Sequence, residues 1–190
     1  MTETTDWKLL SAAHDALRSA VAGVPDDGWA LATPCADWNV TQVLQHAAGD
    51  QLAYAAKLTG GPGPEANPFE PSGQLDAAPS ELLEPALDAT AEAFASVAPG
   101  TQDVPVPLPP FSMSAELAVG AAALDAAIHA WDIATATSQP SPVEASLAAE
   151  LRPVAEAIVE PLRGFAFAAA VEPAAGADEL TSLVNYLGRV

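Results

Sequence analysis

The chain is poor in cysteine and in bases. One cysteine, Cys35, stands among 190 residues, so an internal disulfide is excluded. Six Lys and Arg residues face 25 Asp and Glu residues, for a net charge of −19. The six bases (Lys8, Arg18, Lys57, Arg152, Arg163 and Arg189) do not cluster. Nucleic acids and anionic membrane surfaces are bound by clustered bases, so neither is expected as a partner; the acidity itself implies solubility. No uninterrupted run of about 18 apolar residues occurs, so no transmembrane helix is expected. Residues 1–6 are acidic and lack the basic and apolar regions of a secretion signal. A Gly-rich phosphate loop, a nucleophile elbow and paired zinc-finger cysteines are also missing. These absences predict a cytoplasmic protein.

What the chain has is alanine and helical periodicity. Half of its residues are apolar, and 190 residues suffice for a single domain, 1–190, with a real core. Apolar residues recur at Leu10, Ala13, Leu17, Val21 and Val24, predicting a first helix over 6–24. Asn39 caps a second helix, with Gln42 completing a capping box; Val43, Leu44, Ala47, Ala48, Leu52 and Ala55 are its buried face. Residues 59–79 form a long Gly- and Pro-rich connection, of a length usually functional or disordered, and able to cover a pocket. A third helix is expected over 80–97, with Pro85 tolerable if the start lies near Glu84. Proline restriction makes 104–110 extended. A fourth helix spans 114–137. Ser141-Pro-Val-Glu144 reads as the start of a fifth helix, capped by Ser141, which reaches Arg152 before Pro153 bends or splits it. Residues 164–171 read as strand or buried coil, and a last helix fits 178–187. The expected fold is an all-α four-helix bundle with an extra C-terminal helix and short extended elements. Such bundles build metal sites from side chains on facing helices.

The chemistry concentrates in the fourth helix. Asp125 is the lone acid in the apolar stretch from Leu117 to Trp131, and a buried carboxylate is costly unless neutralised. His129 lies one turn away on the same side. Asp125, His129 and a histidine from a neighbouring helix, His46, are a ligand set for an open metal site. The competing reading is an Asp–His hydrogen bond in a core that holds no metal. Other residues read more plainly. His14 is a satisfied core histidine, Cys35 a small buried hydrophobe, and Trp38 and Trp131 core packing before pocket wall. Asp132 either orients a ligating histidine or caps and solvates the helix. Nothing in the spacing brings Arg163 or Arg189 near the site.

Two segments carry a resemblance. Thr33-Pro-Cys-Ala-Asp-Trp-Asn-Val-Thr-Gln-Val-Leu-Gln-His46 and Asp125-Ala-Ala-Ile-His-Ala-Trp-Asp-Ile-Ala-Thr-Ala-Thr137 resemble the DinB-like superfamily. Within it they are most similar to the mycothiol-dependent maleylpyruvate isomerase-like branch, whose ending Asn185-Tyr-Leu-Gly-Arg189 resembles weakly. The resemblance implies a four-helix bundle that binds one divalent metal, zinc or nickel, through His46, Asp125 and His129. Better-known members carry Glu or His where this chain has Asp125, whose shorter side chain implies a metal nearer that helix or more loosely held. Three ligands leave a fourth position for water or substrate. The implied function is a metal-dependent enzyme using the thiol mycothiol for transfer or isomerisation of a small molecule. A metal- or ligand-binding bundle without turnover is the alternative, and a polar core that only fixes helix register a third. Related bundles often pair, so a homodimer is permitted.

Overall fold

Helix α4 (Ala115–Ala136) is buried along most of its circumference, and the rest of the fold is arranged round it. The computed structural model describes residues 5–35 and 38–190. Most of the N-terminal segment read above, and Ala36 and Asp37 of the approach to the second helix, lie outside the described residues. The elements are α1 (Lys8–Ala22), α2 (Val40–Thr59), α3 (Pro79–Ala95), β1 (Val104–Pro105), β2 (Ser112–Met113), α4, α5 (Ala145–Ile158), a 3₁₀ turn (Glu160–Leu162) and α6 (Glu179–Tyr186). The architecture is all-α. Helices α1 and α2 pack on α4, α3 packs on α2, and α5 closes the far side of α4 with α6 behind it.

A helix with neighbours on several sides must be apolar all round. Helix α4 meets this with alanines, and its apolarity is consumed inside the bundle. By length and composition it would suffice to cross a membrane, but 83% of the relevant window is buried in the fold. Small residues bring the partners close: a Cβ on Gly120 would meet Val154 Cγ2 at 2.6 Å. A buried polar chain joins three helices. His14 Nε2 donates to Gln51 Oε1 at 3.0 Å, and Gln51 Nε2 donates to the Ala122 carbonyl at 3.0 Å. His14 is therefore the satisfied core histidine expected.

Local signals hold at several ends. Asn39 and Gln42 form the reciprocal capping box of α2, Ser114 and Asp178 cap α4 and α6, and Gly60 ends α2 in the left-handed conformation at φ 71°. The prolines require correction. Helix α3 starts at Pro79, well before Glu84, and runs through Pro85; α5 runs through Pro153 to Ile158 without splitting. Both prolines are exposed, as are Glu81 and Ala149 four residues earlier. The carbonyls that lose a helical partner thus lie on the solvent side. Ser141 does not cap α5. Its hydroxyl accepts from Val143 N at 3.1 Å in a turn, and the helix begins at Ala145. Val104 and Pro105 are extended as expected and pair antiparallel with Met113 and Ser112, whereas residues 107–110 bend and turn. Residues 164–171 form neither strand nor buried coil; they make a largely exposed turn beside the 3₁₀ segment.

The 59–79 connection is strapped along α2. Gln42 Nε2 donates to the Pro71 carbonyl at 3.2 Å, and Gln45 Nε2 to the Gln74 carbonyl at 2.7 Å. Gln45 Oε1 accepts from Gly73 N at 2.8 Å, and His46 Nδ1 donates to the Pro68 carbonyl at 2.9 Å.

Candidate metal centre

Helices α2 and α4 bring His46, Asp125 and His129 together, with their ligand atoms within 4.8 Å of one another. Asp125 Oδ1 lies 3.5 Å from His46 Nε2 and 3.4 Å from His129 Nε2. These separations are long for hydrogen bonds. A tetrahedral ion with bonds of about 2.0–2.1 Å spaces its ligands about 3.3–3.4 Å apart. Asp125 Oδ2 is buried and makes no hydrogen bond, an expensive state for a carboxylate oxygen. The donor set and the orphaned oxygen both fit a divalent cation.

The second ring nitrogens explain why the first ones converge. His46 Nδ1 is anchored on the Pro68 carbonyl. A carbonyl only accepts, so Nδ1 carries the proton and Nε2 keeps its lone pair when the ring is neutral. His129 Nδ1 donates to Asp132 Oδ2 at 3.0 Å. Asp132, fully buried, is held in turn by Arg189, whose Nε and Nη2 donate at 2.8 and 3.0 Å to its two oxygens. The structure thus gives Asp132 the orienting role. It also brings in Arg189, which spacing did not. Gly188 makes this possible: it turns left-handed at φ 82° after α6 and is packed so that a Cβ would meet Ala168 Cβ at 2.8 Å. Arg163 is elsewhere, on Glu160 and the Tyr186 carbonyl.

Charge follows this wiring. Burial disfavours the Asp125 carboxylate, yet the two imidazoles hold its pKa well below the usual carboxylate range. Burial alone would lower the pKa of His129, but Asp125 and Asp132 outweigh it and push the ring up to about 10. Asp132 is likewise held low against its burial, chiefly by Arg189. Burial pushes the Cys35 thiol up, though the residue is half-buried and not the fully buried hydrophobe expected. Cys35 also lies near His129 and Asp132, but those two groups already satisfy each other and Arg189.

A cavity of about 770 Å³ opens over the three ligands. Trp38 lines it, with its ring centroid 4.7 Å from that of His46; Trp131 packs against the core instead. Sequence reasoning missed Asp50, which lines the cavity one turn beyond His46. Burial, then the charge of Asp125, pushes its pKa up to about 7. The signal was available, because His46 and Asp50 share one helical row.

Residues 10–134 match the mycothiol maleylpyruvate isomerase N-terminal domain family. Two uncharacterized proteins from strains of Mycobacterium tuberculosis are each 30% identical over 151 residues, which cover 78% of this chain and 76% of theirs. No solved structure matches. The chain belongs to the mycothiol maleylpyruvate isomerase N-terminal domain family, and so to the DinB-like group. The matched span contains His46, Asp125, His129 and Asp132, and stops short of Arg189.

Proposed function

We propose that this protein is a divalent-metal enzyme that activates a low-molecular-weight thiol, mycothiol, for transfer to or isomerisation of a small molecule. One observation carries the reading: both histidines have Nδ1 tied back, so their Nε2 atoms converge on Asp125 Oδ1, while Asp125 Oδ2 is buried without a partner, beside a cavity that all three residues line. His46, Asp125 and His129 would hold the ion, zinc or nickel. When bound, it would stabilise a thiol in its thiolate form at neutral pH.

The chain's own residues supply the rest. Asp132 and Arg189 keep the His129 ring in one orientation and one tautomer. Trp38 and Phe69, both packed against the His46 ring, would limit water at the ligands. Asp50 lines the same space, where its carboxyl can take or return one proton of a thiol or substrate. The family description supports the choice of thiol.

The test is isothermal titration of mycothiol into zinc-loaded protein, with His129→Ala as control. Saturable binding that needs the metal is expected. Absence of binding up to millimolar thiol, in protein shown to carry one zinc, overturns the enzymatic reading and leaves a metal-binding bundle.

A further inference from the structure

The cavity beyond the three ligands has a chemical character of its own. Down α2, the row His46, Asp50, Tyr54 runs along one helix face, each one turn from the next, and all three line the cavity. Neither the Asp50 carboxyl nor the Tyr54 hydroxyl makes a hydrogen bond to a described residue. Tyr54 is otherwise buried, at 1% exposure. Two polar groups therefore line the cavity with no hydrogen-bond partner among the described residues.

The rest of the wall is apolar. Leu108, Leu124, Ile158 and Leu162 line it, and Phe111 and Phe165 stand at its rim. Those two phenyl groups are 60% and 73% exposed, a placement without benefit to the core. The volume lies within the range of small-molecule sites, about 300–1,000 Å³.

Charge decides what such a space can take. Arg189 is the one guanidinium or ammonium group among the described lining residues, and Asp132 engages it through two donors. With a divalent ion in place, Asp125, Asp132 and Arg189 leave one positive charge, which a thiolate cancels. An incoming carboxylate would then meet Asp50 with no free cation, and burying an unpaired anion is costly. A hydroxyl or carbonyl group loses nothing, because Asp50 and Tyr54 can donate to it or accept from it.

We propose that the cavity takes an uncharged, largely apolar molecule bearing one hydroxyl or carbonyl group, held at its polar end by Asp50 and Tyr54, and that it rejects carboxylates. The inference rests on the reading that this cavity is the substrate space of the proposed enzyme.

The probe is N-phenyl-1-naphthylamine, a neutral dye that brightens in apolar surroundings. Its competitors are 1-naphthol and 1-naphthoate, similar in shape and different in charge. Both are titrated into zinc-loaded protein saturated with mycothiol, which fills the open coordination position, and into chelator-treated protein. Saturable dye uptake is expected in both preparations, with naphthol displacing it at a concentration at least about tenfold below naphthoate. Asp50→Asn should narrow that gap and Tyr54→Phe should weaken naphthol, in variants shown by circular dichroism to be folded. Equal competition by naphthoate in either preparation, or no saturable uptake, overturns the proposal. A gap unchanged in both variants overturns the roles of Asp50 and Tyr54. Protein that takes up no zinc yet keeps the preference for naphthol supports the proposal and removes the metal reading alone.

Discussion

His46 Nε2 and Asp125 Oδ1 stand 3.5 Å apart across the α2–α4 interface, too far for a strong hydrogen bond and close to the edge of a coordination tetrahedron. Without a cation, one carboxylate oxygen is shared between two rings and the other is stranded. The first prediction follows. Purified protein should bind one zinc or nickel per chain by elemental analysis, and His46→Ala, Asp125→Ala and His129→Ala should each abolish binding. Chelation should lower Tm by about 5–10 °C, because a ligand at a hundred times its Kd adds about 2.7 kcal/mol. Unchanged metal content in the three variants would place any ion elsewhere.

Proton competition sets the pH dependence. His129 is pushed up to about 10, above its unfolded value of about 6.5, so in metal-free protein its ionic contacts stabilise the fold fully below pH 6.5. That contribution is lost as pH rises through about 10. The same Nε2 proton must leave before a cation can bind. Zinc binding at pH 7.5 should therefore release about one proton, seen by calorimetry in buffers of different ionisation enthalpy, and affinity should rise with pH. Binding without proton release would contradict this wiring.

Asp50 moves stability in the same direction with pH, in a lower window and as a penalty in place of a gain. Its pKa rises to about 7 in the fold, so the folded state holds a proton that the unfolded chain gives up near pH 4. Stability is lost as pH climbs from about 4 to 7, and the penalty is complete above that. In metal-free protein, Asp50→Asn should raise Tm by roughly 5 °C at pH 8 and by almost nothing at pH 4. Equal shifts at both pH values would remove the charge argument.

Arg189→Ala leaves the Asp132 carboxylate buried, with His129 alone to balance it. Breaking such a pair from one side costs about 3–5 kcal/mol, so Tm should fall by about 10 °C. Arg189→Lys should recover only part of this, since an ammonium cannot reproduce the two-point contact. Asp132→Asn should weaken zinc binding by roughly 10–100-fold.

Gly120→Ala tests packing apart from chemistry. The added Cβ would meet Val154 at 2.6 Å, and overpacking of this kind costs about 1–3 kcal/mol. Lower thermal stability with unchanged zinc stoichiometry is expected, measured by melting and elemental analysis.

Much of this was legible in residue order. The capping box at Asn39 and the polar residues of α4 are local signals: a turn of helix is enough to read them, and Asp125 stood out because its surroundings are apolar. Helix interruption at Pro85 and Pro153 was misread, because a proline breaks a helix only where the freed carbonyl lacks water, and solvent exposure is a tertiary property. Arg189 was invisible for a related reason. It reaches Asp132 from 57 positions away, through a left-handed Gly188 whose effect depends on how α6 docks. Asp50 was within reach, one turn from His46 on the same helical row.

The strap formed by residues 59–79 has a kinetic consequence. Its carbonyls and amides are clamped by Gln42, Gln45 and His46, so lifting it would break several hydrogen bonds and unseat a ring at the chemical centre. These bonds suit the segment to the part of a wall and not of a door. Phe111 and Phe165 line the cavity and are its most exposed large apolar groups, so the speed of ligand exchange should answer to the bulk of those two side chains more than to the length of the glycine- and proline-rich span.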